Sequence, residues 1–396
     1  MESKINKGLF SVFGREFRWI LREPSFILMT IVLPLLMFFL FISMFSAGVP
    51  RDIPIGIYDA DKSNLSRELT RRIDAVASVK ITTNVTSLEE GKRLITQGKI
   101  YGLVYIQKEF EKNILRGLSS QVIHYYNNEN QLVGGTLYKD ITNTIRIFSG
   151  EILHNNLLKS KLSESQAEAV VEPIRVNAHV LFNPYTNYMY YLLSGILPTM
   201  LQFFIILCTI YSIGIEIKKG TIAEAMEYGG GNIIKVLSGK LLPYTIIFSL
   251  MGMLMLSLMF KYLKFPLQGN IHIIIVSTII FVLAYQAVGL FYIALGGNIL
   301  KSLLSAAFYA SSAFTFTGIT YPMVTMYWPA QLWGKLLPLT HYLNIIVEQA
   351  LRGTPVDITF KSVFYLTLFL LLPFFLLPRF RQLFTDESLW GDWGSL

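Results

Sequence analysis

Three stretches of this chain carry residue types at spacings that suggest chemistry. Asp59-x-Asp61-x-Ser63 opens like a calcium loop, which needs oxygen ligands at alternate positions, Gly at the sixth and a bidentate Glu at the twelfth. Asn64 and Thr70 stand at those two places, so a strand-turn-helix cap is the favoured reading of the acids. Leu237-Ser238-Gly239-Lys240 looks like a fragment of a phosphate loop. Ile234 occupies the position of its first Gly, and Leu241 stands where Ser or Thr must reach magnesium, so no nucleotide is cradled there. Gly220-Thr221 followed by Glu224 reads as a capping box that starts a short helix at Ile222, with Ile222, Ala225 and Met226 on one apolar side and Gly229, Gly230 and Gly231 ending it. Its bland reading is a surface helix that only turns the chain. The histidines at 124, 154, 179, 272 and 341 show no HExxH or other ligand spacing, and no Gly-x-Ser-x-Gly elbow is present, so no catalytic or metal residue is assigned.

The elements that would position these residues are set by hydropathy. Mean hydropathy is +0.48, with 53% hydrophobic and 15% charged residues over 396, too apolar for a soluble globular chain. Six runs approach the roughly 20 apolar residues a spanning helix needs: Phe26 to Ala47, Tyr190 to Gly214, Leu241 to Phe260, Ile271 to Leu295, Ser302 to Thr320, and Val363 to Leu377. The polar island Glu216 to Lys240 lies between the second and third. The net charge of +8 invites a nucleic-acid reading, but the cations are dispersed and follow the membrane instead. Inner flanks and short inner loops hold Lys4, Lys7, Arg15, Arg18, Arg22, Lys218, Lys219, Lys235, Lys240, Lys301, Arg379 and Arg381; short outer segments hold Lys261, Lys264, Lys335, Arg352 and Lys361. Twelve against five predicts cytoplasmic termini and a cytoplasmic island. Residues 48–189 then lie outside.

The expected fold is an α-helical membrane protein of six spans with an α/β domain inserted between the first two. Residues 1–25, with Phe10, Phe13, Phe17 and Ile20 between arginines, read as an amphipathic helix on the inner membrane surface. The first span occupies 26–47 and reads as an anchor, since it is too long for the core of a cleaved signal. In the outer domain, 48–189, strands are expected at 53–59, 79–83, 101–106, 121–127 and 176–182. Helices alternate with them at 65–76, 88–98 and 108–117, and one or two longer ones fill 130–172. Spans two to six fill 190–378, with the inner loop at 215–240 and a proline- and tryptophan-bearing stretch at 321–361 that reads as outer-surface or re-entrant helices. A tail, 379–396, returns to the cytoplasm. Cys208 is the only cysteine, so no intramolecular disulfide forms. No expected span carries an ionisable residue in its middle, which disfavours coupling to a proton or sodium gradient.

In the order and spacing of its motifs the chain resembles the permease subunits of type-2 ATP-binding-cassette exporters, the group with a large outer domain between spans one and two. The resemblance runs nearly end to end: REFRWILREPSFI, IPIGIYDADKSNLSREL, EIKKGTIAEAMEYG followed by SGKLLPY, and FTGITYPMVTMYWPAQLWGKLLPLTHYLNIIVEQALRGTPV. It implies that the inner loop holds a coupling helix docked on a separately encoded ATPase, with Glu216, Gly220, Thr221, Glu224 and Met226 in that role. Gly229, Gly230 and Gly231 replace the family's Thr-Pro turn. It further implies a dimer with a second copy or a paralogue, and a path lined by spans two and five. Gln202, Phe203, Thr209, Phe308, Phe314, Phe316 and Thr317 are candidates for that lining, and Pro322, Trp328 and Pro338 for an outer gate; the bland alternative for each aromatic is lipid contact or packing. ATP and magnesium would be bound by the partner ATPase, and this chain would carry no cofactor. Membrane lipid is a further expected partner, a periplasmic adaptor is admitted, and nucleic acid is not expected.

The implied function is export of an amphipathic or hydrophobic, drug-like or lipid-like compound from the cytoplasm or inner leaflet of the cell membrane, which is the inner membrane in a Gram-negative host. The principal alternative is a membrane-anchored sensor whose outer α/β domain binds a ligand. Six spans without any kinase or cyclase domain argue against it, as the absence of a catalytic constellation argues against a membrane-embedded enzyme.

Overall fold

The computed structural model describes residues 7–46, 48–160, 163–171, 181–182 and 187–386. They form two compact units, one of Met1–Ser46 with Asn187–Leu396 and one of Ala47–Thr186.

The first unit holds six helices long and apolar enough to cross a membrane: Pro24–Phe45, Tyr188–Lys219, Ile233–Tyr262, Ile271–Gly296, Ile299–Phe316 and Val356–Thr385. Several outrun the apolar sequence runs, because a helix need not stop where hydrocarbon does. The third begins eight residues before Leu241 and the sixth seven before Val363. As a result Glu216 and Lys240, which the apolar runs leave in the polar island, both lie inside spanning helices, near their ends. Asparagine starts the second to fifth spans. The side chains of Asn187, Asn232, Asn270 and Asn298 accept from the first-turn amides of Met189, Ile234, His272 and Lys301, satisfying donors that apolar surroundings would leave costly. Pro34 has no N–H to give the Thr30 carbonyl, and the turn before it, Leu28–Val32, widens to π geometry.

The second and fourth spans form the interior of this unit. Small residues allow the helices to approach: a Cβ on Gly289 would lie 2.8 Å from the Thr209 Cβ, and one on Gly252 2.5 Å from the Thr278 methyl. Two short helices, Trp328–Lys335 and Pro338–Ile346, precede the sixth span. The latter is buried against the fourth span. Tyr285 Oη accepts the Leu339 amide at 3.0 Å, and the Phe281 and Tyr342 rings lie 4.3 Å apart. Gln349 in the following π turn accepts the Asn270 amide at 2.9 Å and donates to Thr354 O and Thr359 Oγ1, joining the loop before the fourth span to the start of the sixth.

The second unit is built on a four-stranded sheet ordered β2-β1-β3-β4, with β1 Ile53–Asp59, β2 Val79–Asn84, β3 Gly102–Ile106 and β4 Val122–Tyr126. β1 runs parallel to β2 and β3, and β4 is antiparallel to β3. Ile55, Ile57, Val104 and Ile106 face Leu69 and Ile73 of Asn64–Asp74 and Leu137, Ile141 and Phe148 of Gln131–Lys159. The opposite face is closed by Gly56 and Gly91, whose missing Cβ atoms admit Val85, Ile100 and Leu103. The acids of the calcium-like stretch are occupied by backbone. Asp59 Oδ1 accepts the Asp61 and Lys62 amides, and Asp61 caps Phe110–Leu115 by accepting the amides of Phe110 and Glu111 at 3.1 Å each. These amides and the Ser63 hydroxyl outweigh the cost of desolvation and hold the Asp61 carboxyl below its usual range. Of the strand expected at 176–182, residues 176–180 lie outside the described residues, and 181–182 are not in a strand.

Candidate functional site

The helix Ile222–Tyr228 between the second and third spans is held by the N-terminal helix Leu9–Arg22. Gly8 N donates to Tyr228 O at 2.9 Å at one end. At the other, Arg15 reaches Thr221 O and Glu224 at 3.4 Å and Glu216 at 2.5 Å. The N-terminal helix is amphipathic, yet its inward stripe is Val12, Glu16 and Ile20, facing protein, while Phe10 and Phe17 are exposed. It lies close against the third span because Gly239 has no side chain. A Cβ there would sit 2.7 Å from Leu9 O and 2.8 Å from the Val12 Cβ.

At this crossing lies an ionic cluster that sequence reasoning did not assemble. Lys240 Nζ donates to Glu16 Oε2 at 2.6 Å and lies 3.3 Å from Glu216 Oε1, and all three side chains are fully buried. Tyr244 Oη donates to Glu16 Oε1 at 2.8 Å, and the Lys240 ammonium stands 4.9 Å over the Trp19 ring. Arg15, Lys240, Glu16 and Glu216 together carry no net charge, which lets the group exist out of water. Burial pushes the Glu16 carboxyl upward, Lys240 pulls it back, and Glu216 pushes it up again. The sequence signal for this group was only the charge of residues 16, 216 and 240, the first of them more than two hundred positions from Lys240.

The structure places the anticipated coupling residues differently from one another. Glu216 cannot present its charge to another protein, since it is buried between Arg15 and Lys240; this corrects its assignment to a docking surface. The capping box is also corrected. Gly220 adopts φ +71° and turns the chain so sharply that Thr221 is already helical, at φ −76° and ψ −4°, whereas a capping side chain needs extended backbone. Thr221 Oγ1 instead lies 3.5 Å from Glu216 O, and Glu224 turns to Arg15. Ile222 and Ala225 are buried, Met226 is half-buried, and Ala223, Glu224 and Glu227 form the exposed face. Gly230 and Gly231 have φ of +67° and +74°, the left-handed turn that glycine permits. Beside this face is a cavity of about 360 Å³ lined by Arg15, Arg18, Arg22, Lys219 and Glu224 among others.

The second and fifth spans do meet. Gln202 is buried and donates to Ala310 O at 3.1 Å, its Oε1 having no partner, and Thr209 is buried with its hydroxyl donated to Ile205 O. Phe203 and Phe316 are half-buried. Phe314 lies against Gly195, Thr317 is buried, and Phe308 is 75% exposed. Pro322 and Trp328 are exposed, while Pro338 starts the buried helix.

A polytopic helical bundle with a short helix clamped between two spans, and a separate small α/β unit, is the build of a membrane permease. Residues 24–377 match the family model described as ABC-2 family transporter protein, and the chain belongs to that family. It is 20% identical to the probable multidrug ABC transporter permease YbhR of Escherichia coli K12 over 359 residues, 90% of this chain and 93% of YbhR. It is 21% identical to the probable multidrug ABC transporter permease YbhS of the same strain, covering 88% of this chain and 90% of YbhS. A shorter match, 27% identical over 123 residues and 31% of each chain, is to the linearmycin resistance permease protein LnrN of Bacillus subtilis 168. No solved structure matches.

Proposed function

We propose that this permease is the membrane half of an ATP-driven exporter of amphipathic or hydrophobic compounds, powered by a separate ATPase that docks on Ile222–Tyr228. The observation that carries this reading is the clamp around that helix. A turn braced at both ends by the N-terminal helix, and tied through Glu216 and Lys240 to the second and third spans, can pass a push into the membrane rather than absorb it. Its exposed face, Ala223, Glu224 and Glu227, is the surface offered to the ATPase. The lysine and arginine asymmetry orients that face and both termini toward the cytoplasm and the α/β unit outward. The multidrug permeases among its relatives support a drug-like or lipid-like cargo.

The fifth span supplies the surface for a second permease copy. Leu304, Phe308, Ser311 and Thr315 are exposed at helical spacing, and hydroxyls on a spanning face favour a helix partner over lipid. The test is ATP-dependent movement of a fluorescent hydrophobic dye in vesicles holding the permease and its cognate ATPase, against an ATPase whose catalytic Glu is replaced. Transport with the dead ATPase, or driven by an imposed proton gradient, would overturn the reading.

A further inference from the structure

The N-terminal helix Leu9–Arg22 has three sides. Val12, Glu16 and Ile20 face the protein, while Phe10, Phe17 and Leu21 follow one another at helical spacing on a second side and are exposed. Arg15, Arg18 and Arg22 fill the third, which lines the cavity of about 360 Å³ beside Ile222–Tyr228. Lys219 is a fourth cation there, against two carboxylates, Glu216 and Glu224. Both carboxylates are already held by Arg15. Among the described residues no acid pairs with Arg18, Arg22 or Lys219; Arg18 Nε donates to Gly14 O of its own helix at 3.1 Å, and Lys219 Nζ stands 5.9 Å over the Trp19 ring. These unpaired cations gather where the spans begin. Arg22 stands just before the first span, Pro24–Phe45, and Lys219 is the last residue of the second, Tyr188–Lys219, so both sit at the level of lipid phosphates rather than of hydrocarbon. Exposed apolar side chains flank them, Phe17 and Leu21 on the same helix and Leu28 and Val32 at the start of the first span.

We infer that this cavity holds the phosphate of one anionic phospholipid from the leaflet at this end of the spans, bound by Arg18, Arg22 and Lys219, with its acyl chains along Phe17 and Leu21. Guanidinium groups suit a phosphate because they donate in a fixed fork. Charge complementarity selects an anionic headgroup over a zwitterionic one. A headgroup that brings its own ammonium leaves the cation excess in place, and the carboxylates able to take that ammonium are bound to Arg15. An acidic surface of the ATPase would answer the same charges, but it would leave the apolar side, Phe10, Phe17 and Leu21, in water. A lipid answers both sides of the helix at once.

Native mass spectrometry of the full-length chain in detergent, without any ATPase, titrated with phosphatidylglycerol or phosphatidylcholine, tests it. A single phosphatidylglycerol should survive activation that strips phosphatidylcholine. Arg18→Gln, Arg22→Gln and Lys219→Gln should each lower its retention about fivefold, the worth of one cation at a lipid surface. Lys301→Gln, which removes an exposed cation outside the cavity, should leave it unchanged. Arg18, Arg22 and Lys219 are exposed, so their variants fold, and melting in the same detergent checks that they do. Equal retention of the two lipids by the wild-type chain, or wild-type retention by the triple variant, would overturn the assignment. Displacement of the lipid by inorganic phosphate would make a free anion the ligand. Variants that keep the lipid but no longer co-purify with the ATPase would make the cavity part of the docking surface, and either result overturns it too.

Discussion

Lys240 holds Glu16 at 2.6 Å with neither side chain reached by solvent, so the third span and the N-terminal helix are joined by a charge pair in apolar surroundings. Such pairs contribute little net stability when intact but are expensive to break from one side, at about 3–5 kcal/mol. Lys240→Met should therefore lower the thermal unfolding midpoint of the purified protein sharply, because it leaves Glu16 facing Glu216. Lys240→Met with Glu16→Gln should recover part of the loss. An additive double variant, measured by melting in the same detergent, would mean that the pair is not energetically joined.

Gly239 provides a geometric test of the same crossing. Any side chain there meets the Leu9 carbonyl and Val12, which belong to backbone and a stiff β-branched residue. Gly239→Val should push the N-terminal helix off the third span and speed tryptic cleavage at Arg15, Arg18 and Arg22 several-fold, with the spans still intact. Unchanged cleavage would show that the helix is held elsewhere.

The capping arrangement shows what was legible in the sequence and what was not. The strand Ile53–Asp59 and the helices Asn64–Asp74 and Leu88–Thr96 follow from short local runs of the chain, and the structure shows Ser63 and Ser87 capping those helices. The six spans are equally local, being runs of apolar residues. The site at Ile222–Tyr228 was legible as an element but not in its contacts. Whether Glu224 turns back to Thr221 or out to Arg15 depends on a helix more than two hundred residues earlier. Thr221→Ala should accordingly change local stability by less than about 0.5 kcal/mol, while Asn232→Ala, which removes a cap that is made, should cost about 1 kcal/mol. Hydrogen exchange of residues 222–240 separates the two. Faster exchange in the Thr221 variant than in the Asn232 variant would restore the capping box.

His124 on β4 makes the α/β unit sensitive to acid. Neither ring nitrogen has a hydrogen-bond partner, and burial depresses the imidazole from 6.5 to about 4. The unfolded chain therefore binds a proton that the folded unit refuses between those values. Stability is full above pH 6.5 and falls as pH drops toward 4, by about 2–3 kcal/mol. Asp61, Glu68, Glu90 and Glu109 titrate below their ordinary values, so their contribution is lost only at lower pH and does not mask this window. Hydrogen exchange of β3 and β4 in the full-length protein should quicken from pH 6.5 to 4.5 beyond its intrinsic pH dependence, and His124→Leu should remove the excess. An excess that persists in the variant would assign it to another group.

The last prediction separates docking from folding at the short helix. Glu216→Lys would place a third cation beside Arg15 and Lys240 in a buried cluster, so its defect would be one of assembly and would say nothing about a partner. Ala223 and Glu227 lie one turn apart on the exposed face, and no hydrogen bond or ion pair holds either side chain. Ala223→Arg with Glu227→Lys should leave yield, monodispersity and melting unchanged while lowering co-purification of the ATPase and ATP-driven dye movement at least tenfold, since it reverses the charge and adds bulk where the ATPase must fit. Topology is read from the same position. In a Cys208→Ser background, Glu227→Cys should label only after membranes are opened, whereas Ser119→Cys in the α/β unit should label in intact cells. If Glu227→Cys reacts with an impermeant reagent from outside, or if the double variant still binds and drives the ATPase normally, Ile222–Tyr228 is a turn between two spans and the coupling surface lies elsewhere.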